Sequence, residues 1–273
     1  MKVFCKELNM EFEDREQMFS ELASNASKII ELKKASTKES DSVSLLFIEK
    51  SNDSLKALDF VKEGYVYPVI NTTNFLDSHG DVHFPNIWNK SLKDKARKIF
   101  YVLEHKLSID SVIAYPNDVN SFVKNISWKD LGYNYEGETQ ALIYEISKDK
   151  IKIPQIKSLF EEKTPFENSV RMRYINMELA IDTKNADLAK NKVVFDAYID
   201  QIANKELAQK EGYFWAVTEA SIEKEGSLCL FGSNSATPVI YNTEAVTDTS
   251  DKNEPSKDTQ KDFETFYNKL NLN

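Results

Sequence analysis

The segment Ser169-Val170-Arg171-Met172-Arg173-Tyr174 alternates polar and apolar side chains with a period of two residues. In a β-strand this period places the valine, the methionine and the tyrosine on one face, and the serine and both arginines on the other. We therefore predict a strand from Ser169 to Ile181. Further runs are rich in β-branched and aromatic residues and are also predicted to be strands: Ser44–Glu49, Tyr65–Thr72, Lys98–Glu104, Ser111–Tyr115, Thr139–Ser147, Phe214–Ile222 and Ser227–Phe231.

Helical periodicity occurs in fewer segments. A short predicted strand from Val3 to Leu8 precedes a helix that begins near Asp14, where the sequence Asp-Arg-Glu-Gln has the spacing of a capping box. Further helices are predicted for the following runs, the last of which has Gly212 just past its end: Ser27–Ala35, Asn86–Arg97, Ile153–Glu162 and Ala186–Gln209.

The chain divides into three predicted regions. Residues 1–42 form a small N-terminal strand-helix region with a polar linker, and residues 43–242 form the main domain. Residues 243–273 are polar and acidic and are predicted to be a disordered tail that contains a short amphipathic segment. Many strands with a few helices between them predict an α+β fold, built on a mostly antiparallel β-sheet or β-barrel core flanked by helices.

Composition excludes several classes of protein. The formal net charge is −9, with 44 acidic and 35 basic residues, so the chain has no electrostatic reason to follow nucleic acid. No apolar run approaches the roughly 20 residues that span a bilayer, and the N-terminus becomes charged too early for a signal peptide. Cys5 and Cys229 lie far apart and do not suggest a disulfide framework. We expect a cytoplasmic protein with protein or small-molecule partners.

One short segment has the appearance of a metal site. In Asp77-Ser78-His79-Gly80-Asp81-Val82-His83, a possible ligand stands at every second position, and a strand would place all four on one face. Gly80 and the neighbouring Asn and Asp residues favour a turn instead, in which the carboxylates accept backbone hydrogen bonds. The second interpretation is the one we favour, while a metal-dependent hydrolase that uses these residues, with or without His105, stays open as an alternative.

Three other residues could form a nucleophilic site. His105 follows a predicted strand and could project from its end, although a single histidine is more often structural. Ser169 needs a base to become a nucleophile, and most serines on such a face are simply solvated. Glu225 precedes a predicted strand and could orient an imidazole as the third member of a triad.

Taken together, these segments resemble the prohead proteases of tailed phages, which are distant relatives of the herpesvirus assemblins. The matching blocks are Asn71 to Trp88, with its Asp, Gly-Asp and Pro; Val102-Leu103-Glu104-His105; and Ser169-Val170-Arg171-Met172. They are similar to the family's opening element, its histidine strand and its Ser-(Val/Ile)-Gly-(Phe/Met) nucleophile strand. Downstream, Glu225-Gly226-Ser227 and Gly232-Ser233-Asn234 resemble its Glu-x-Ser element and its closing turn. The resemblance covers residues 60 to 240 and looks closest to gut-phage members.

The chain departs from the family at two points. Arg171 stands where the family usually has glycine, so that a side chain either crowds the oxyanion site or supplies charge to it. Assemblins complete their triad with a histidine downstream of the serine, whereas this chain has no histidine after His105. Glu225 is therefore our choice for the third member, with Glu219 as the fallback.

The resemblance implies an assemblin-like serine endopeptidase that needs no cofactor. Its expected partners are the major capsid protein and the scaffold protein, which it would cleave inside the assembling prohead in the host cytoplasm, together with itself. Assemblins gain activity on dimerising, which makes a homodimer a further expectation. Because Arg171 replaces glycine, a catalytically inactive structural or scaffolding component of the head stays open as an alternative.

Overall fold

A computed structural model describes residues 2–36, 58–95, 97–164, 166–230, 234 and 236–241. Within these residues the protein has a mixed α+β fold, as predicted. The expected strand Ser44–Glu49, the linker, the turn residues Gly232 and Ser233, and the tail lie outside this part of the chain. The helices are α1 (Arg15–Ser24), α2 (Ala26–Ala35), α3 (Asn89–Lys95), α4 (Pro154–Glu161), α5 (Ala189–Tyr198) and α6 (Lys205–Glu211). The strands are β1 (Val3–Cys5), β2 (Met10–Phe12), β3 (Tyr65–Thr72), β4 (Asp81–His83), β5 (Phe100–Leu103), β6 (Val112–Ala114), β7 (Asn120–Ser127), β8 (Glu138–Ser147), β9 (Glu167–Ile181), β10 (Tyr213–Cys229) and β11 (Val239–Ile240).

The longest strand, β10, organises the larger sheet. It pairs along one edge with β9 in antiparallel orientation. Along the other edge it pairs with β4 and then with β5, both in parallel orientation. Our prediction of separate strands Phe214–Ile222 and Ser227–Phe231 was wrong, because β10 continues from the first into the second as one strand that ends at Cys229. Its pairing with β9 shifts register near Glu219 and again between Ile222 and Gly226. Strand β10 thus joins β4, which contains His83, to β5, which His105 follows.

A second sheet has the order β11-β3-β8-β7 and is antiparallel throughout. Strand β3 has the predicted bounds, whereas β7 was not predicted. Side chains of both sheets meet in one buried apolar cluster, to which β3 and β8 contribute Val66 and Tyr144 and β9 and β10 contribute Met172 and Trp215. Within the described residues the strands form separate sheets without a closed barrel, so the barrel is not confirmed.

The N-terminal region packs into the same apolar cluster through Met18, Phe19 and Leu22. Helix α1 begins as predicted, since the Asp14 side chain accepts the Gln17 N–H at 2.9 Å. No helix in the described part of the chain is both long and apolar enough to span a membrane.

The predicted helix Ala186–Gln209 is broken into α5 and α6. The Asn204 side chain accepts the Leu76 N–H at 2.8 Å and donates to the Leu76 carbonyl at 2.9 Å, which ties the break to a neighbouring segment. Gly212 ends α6 in the left-handed region, with φ of 78°, as expected for a helix C-terminus.

Candidate active site

His105 lies just past the end of β5, where the chain turns sharply. Glu104 and His105 have φ of 48° and 54°, in the left-handed region that non-glycine residues rarely adopt. Such residues cost roughly 1–3 kcal/mol each and persist only where their surroundings hold them. Here the Glu104 N–H donates to the Leu228 carbonyl at 3.0 Å, so β10 fixes the turn that presents His105.

The side chain of His105 pairs with a buried carboxylate. His105 Nδ1 lies 2.8 Å from Glu225 Oε1, and the two residues are 8% and 0% exposed. Because a carboxylate can only accept, this contact assigns the proton to Nδ1 and leaves Nε2 of a neutral imidazole as the basic nitrogen. His105 Nε2 is buried and has no hydrogen-bond partner among the described residues. An unpaired buried acceptor is unusual in a structural histidine, and it is what a general base requires.

Ser227 connects this pair to the backbone. Its hydroxyl accepts the His105 N–H at 2.9 Å and donates to Glu225 Oε2 at 2.9 Å. The carboxylate therefore contacts His105 directly through one oxygen and indirectly through the other. Ser227 was part of the quoted Glu-Gly-Ser segment, but nothing local indicated that its hydroxyl would position the histidine.

Ser169 lies on the same face of the sheet. It is directly opposite Ser227 in the β9–β10 ladder, and residues opposite each other in an antiparallel pair point to the same side. Ser169 is 7% exposed. Because His105 Nε2 has no partner, it does not share a hydrogen bond with Ser169 in this structure. Hydrogen bonds of this kind are often loose without substrate and tighten in the complex.

The residue before Ser169 is firmly held. Asn168 is fully buried, and its side chain accepts the Tyr101 hydroxyl at 2.7 Å and donates to the Thr237 carbonyl at 2.8 Å. The Thr237 hydroxyl in turn donates to the Asn168 carbonyl at 2.6 Å. Strand β5, which delivers His105, and the segment before β11 therefore both fix the start of β9.

Arg171 contacts both the histidine and the glutamate. Its Nε lies 3.0 Å from Glu225 Oε1, and its Nη2 donates to the His105 carbonyl at 2.8 Å. A buried carboxylate is costly unless it is paired, and this guanidinium supplies the countercharge. The charge of Arg171 is thus directed to the acidic member of the site.

Gly226 lies where β10 packs closely against the second sheet. A Cβ at this position would lie 2.7 Å from Cε2 and 2.9 Å from the hydroxyl of Tyr144, and 2.9 Å from Cγ2 of Ile70. The close approach of β10 to the second sheet therefore requires glycine between Glu225 and Ser227.

Glu219, the fallback for the third member, lies elsewhere. It accepts from the Asn176 side chain at 2.8 Å and lies 3.4 Å from Lys90. The structure brings Ser169, His105 and Glu225 to one face of the sheet, with Ser227 and Arg171 as additional contacts, and leaves Glu219 outside this group.

The segment from Asp77 to His83 forms the turn that we favoured. Asp77 Oδ1 accepts the N–H groups of His79 and Asp81, each at 2.9 Å. Burial and the adjacent Asp81 charge raise the pKa of Asp77 to about 8. Among the described residues, no group of three or more His, Cys, Asp or Glu side chains is arranged to hold a metal ion.

Asp81 and His83 belong instead to a buried chain of hydrogen bonds. The Tyr174 hydroxyl donates to Asp81 Oδ2 at 2.8 Å and lies 3.2 Å from His83 Nε2. Asn71 Nδ2 lies 2.8 Å from His83 Nδ1, and Lys33 of α2 pairs with Asp81 Oδ1. Both imidazole nitrogens of His83 are thus occupied by protein groups, so this segment joins structural elements and offers no ligand set.

No match to the chain was found among protein-family models, curated proteins or solved structures.

Proposed function

We propose that this protein is a serine endopeptidase in which Ser169 is the nucleophile, His105 the general base and Glu225 the group that orients it. One observation carries the proposal. Within the part of the chain that the structure describes, His105 of the buried His105–Glu225 pair has no hydrogen bond at Nε2, and Glu225 lies on the sheet face that carries Ser169. A structural histidine at this depth would be expected to have both nitrogens satisfied, as His83 does.

The proposed reaction is acyl transfer. His105 Nε2 takes the hydroxyl proton of Ser169 while Oγ bonds to the carbonyl carbon of a peptide, and Glu225 stabilises the imidazolium that forms. A backbone N–H near Val170 or Arg171 would hold the oxyanion. His105 then gives its proton to the leaving amine as the C–N bond breaks. A water molecule then loses a proton to His105 and attacks the acyl carbon. The bond from that carbon to Ser169 Oγ breaks, His105 returns the proton to Oγ, and the second product leaves.

The proposed biological role is prohead maturation, with the scaffold protein, the major capsid protein and the protease itself as substrates. This part of the proposal rests on the resemblance of three sequence blocks to the prohead proteases. The arrangement supports it because each of these blocks contributes to the larger sheet: the first holds β4, the second ends in His105 and the third begins with Ser169. An assemblin-like barrel, homodimerisation and action inside the prohead belong to the same proposal.

The test is co-expression of the chain with its major capsid protein, as wild type and as Ser169→Ala, followed by intact mass of every product. Shortened chains with the wild type alone would support the proposal. Full-length chains in both would contradict it and favour the inactive structural component of the head. Cleavage in both would mean that Ser169 is not the nucleophile, and sensitivity of that cleavage to a chelator would favour a metal-dependent hydrolase.

A further inference from the structure

We infer, on the basis of the function proposed above and dependent on it, that Arg171 is a positioning residue that holds the His105 backbone and sets the charge available to its imidazole. The guanidinium of Arg171 lies between the main chain of His105 and the side chain of Glu225. One nitrogen donates to the His105 carbonyl at 2.8 Å, and a second lies 3.0 Å from Glu225 Oε1. Arg171 therefore bridges the main chain of the base and the carboxylate that orients its side chain.

The first contact matters because the His105 backbone is strained. His105 and its neighbour Glu104 both have positive φ, so this turn keeps its shape only through the groups that hold it. Besides the Glu104 N–H bond to the Leu228 carbonyl, the Ser227 hydroxyl holds the His105 N–H and the Arg171 guanidinium holds the His105 carbonyl. Both peptide groups that flank the His105 side chain are thus fixed by side chains from the two long strands.

The second contact matters because Glu225 Oε1 is shared. The same oxygen lies 2.8 Å from His105 Nδ1 and 3.0 Å from Arg171 Nε. The positive charge of a guanidinium this close offsets part of the negative charge that would stabilise an imidazolium. With Arg171 in place, His105 therefore faces a carboxylate whose charge is partly offset by the guanidinium.

The other titratable groups near His105 cannot replace Arg171 in this role. Glu104 is exposed and its carboxylate accepts the Leu230 N–H at 3.1 Å, while Lys106 is exposed. Tyr144 packs against Gly226 from the second sheet, and burial raises the pKa of its hydroxyl well above the ordinary value, so that it stays neutral. Among the described residues, Arg171 is thus the cation in contact with the carboxylate of the site.

The test uses a fluorophosphonate probe, which reports on the nucleophile without a peptide substrate. Ser169 Oγ bonds to phosphorus, the P–F bond breaks, fluoride leaves and the hydroxyl proton passes to His105. The rate of this modification is measured against pH for the wild type, Arg171→Gln and Arg173→Gln. Arg173 is the matched control, because it lies two residues further along the same face of β9 and is exposed.

We expect Arg171→Gln to lower the plateau rate by about 10- to 100-fold, the effect of a slightly misplaced base. We also expect the acidic limb of its pH profile to move to higher pH, because the Glu225 charge is then no longer offset, whereas a purely structural loss would leave that limb in place. Arg171→Lys keeps the charge but not the two-point contact, so its rate should fall while its acidic limb stays in place. Arg173→Gln should match the wild type in both respects.

Two failures can be told apart. If the wild type is not modified at Ser169, the proposed function fails and the role of Arg171 fails with it. If the wild type is modified and Arg171→Gln has the same rate and the same pH profile, only the inference about Arg171 is overturned. Should Arg171→Gln not fold, Arg171→Lys decides the question, because a wild-type rate in that variant would also contradict the positioning role.

Discussion

Replacement of Gly226 by alanine should both destabilise the protein and displace the neighbouring residues of the candidate site. The new Cβ would lie 2.7 Å from Tyr144 Cε2 and 2.9 Å from Ile70 Cγ2, about 0.7 Å and 0.5 Å inside an ordinary contact. Both neighbours are fully buried, so neither side chain can move into solvent. Overpacking of this kind costs about 1–3 kcal/mol in folding free energy. Because two buried side chains would be overlapped, we expect the upper half of that range.

The same strain should reduce activity, because Gly226 lies between Glu225 and Ser227. A shift of β10 by a few tenths of an ångström would move the carboxylate that orients His105, and we expect modification of Ser169 to slow by about 10- to 100-fold. The free energy of unfolding is measured by urea denaturation, and reactivity by the fluorophosphonate probe.

A second substitution, at Tyr144, tests whether steric overlap causes the loss of stability. Tyr144→Leu removes the nearest contact, so Gly226→Ala should cost less in that background, with a coupling of about 1 kcal/mol or more between the two changes. Unchanged stability of Gly226→Ala, or strict additivity of the two variants, would refute the reasoning.

Three further predictions follow from the same structure. Glu225→Gln should lower kcat/KM on a cleaved peptide by about 10⁴-fold, because the amide no longer stabilises the imidazolium, and a loss of less than tenfold would rule out its role. Lys33→Met should lower the free energy of unfolding by about 3–5 kcal/mol, because Asp81 would be left buried without its lysine partner. In the same urea denaturation experiment, Lys28→Met on the exposed side of the same helix should change the free energy of unfolding little. Burial lowers the pKa of His83 to about 4, so the stability that His83 contributes is fully present above about pH 6.5 and is lost as the pH falls toward 4. NMR of the imidazole should show His83 neutral at pH 5. A protonated signal at that pH would contradict the buried chain of hydrogen bonds.

Local patterns in the sequence were sufficient for most of the elements. The alternation in Tyr65–Thr72 predicted β3 with its observed bounds, and the runs around Thr139–Ser147 and Ser169–Ile181 predicted β8 and β9 to within two residues. Strand β7 was missed because Asn120–Ser127 is mostly polar and half-exposed, so that it lacks a clear apolar period.

Pairing between elements could not be predicted in this way. Strands β4 and β5 both lie more than a hundred residues before β10 in the sequence, yet they join the same edge of β10 in parallel orientation. The break between α5 and α6 depends on contacts between Asn204 and Leu76, which are 128 residues apart. Such partners are selected by packing of the whole domain, which a local periodicity does not encode.

The candidate site divides in the same way. The sequence by itself determined the residue types that could act, Ser169, His105 and Glu225, because their chemistry and the blocks around them are local properties. Only the tertiary structure decided that Glu225 and not Glu219 meets His105, that Ser227 holds the histidine main chain, and that Arg171 shares the carboxylate. The reason is that β10 brings together residues more than a hundred positions apart, and hydrogen bonds are short and directional, so the register of two long strands determines which side chains can meet.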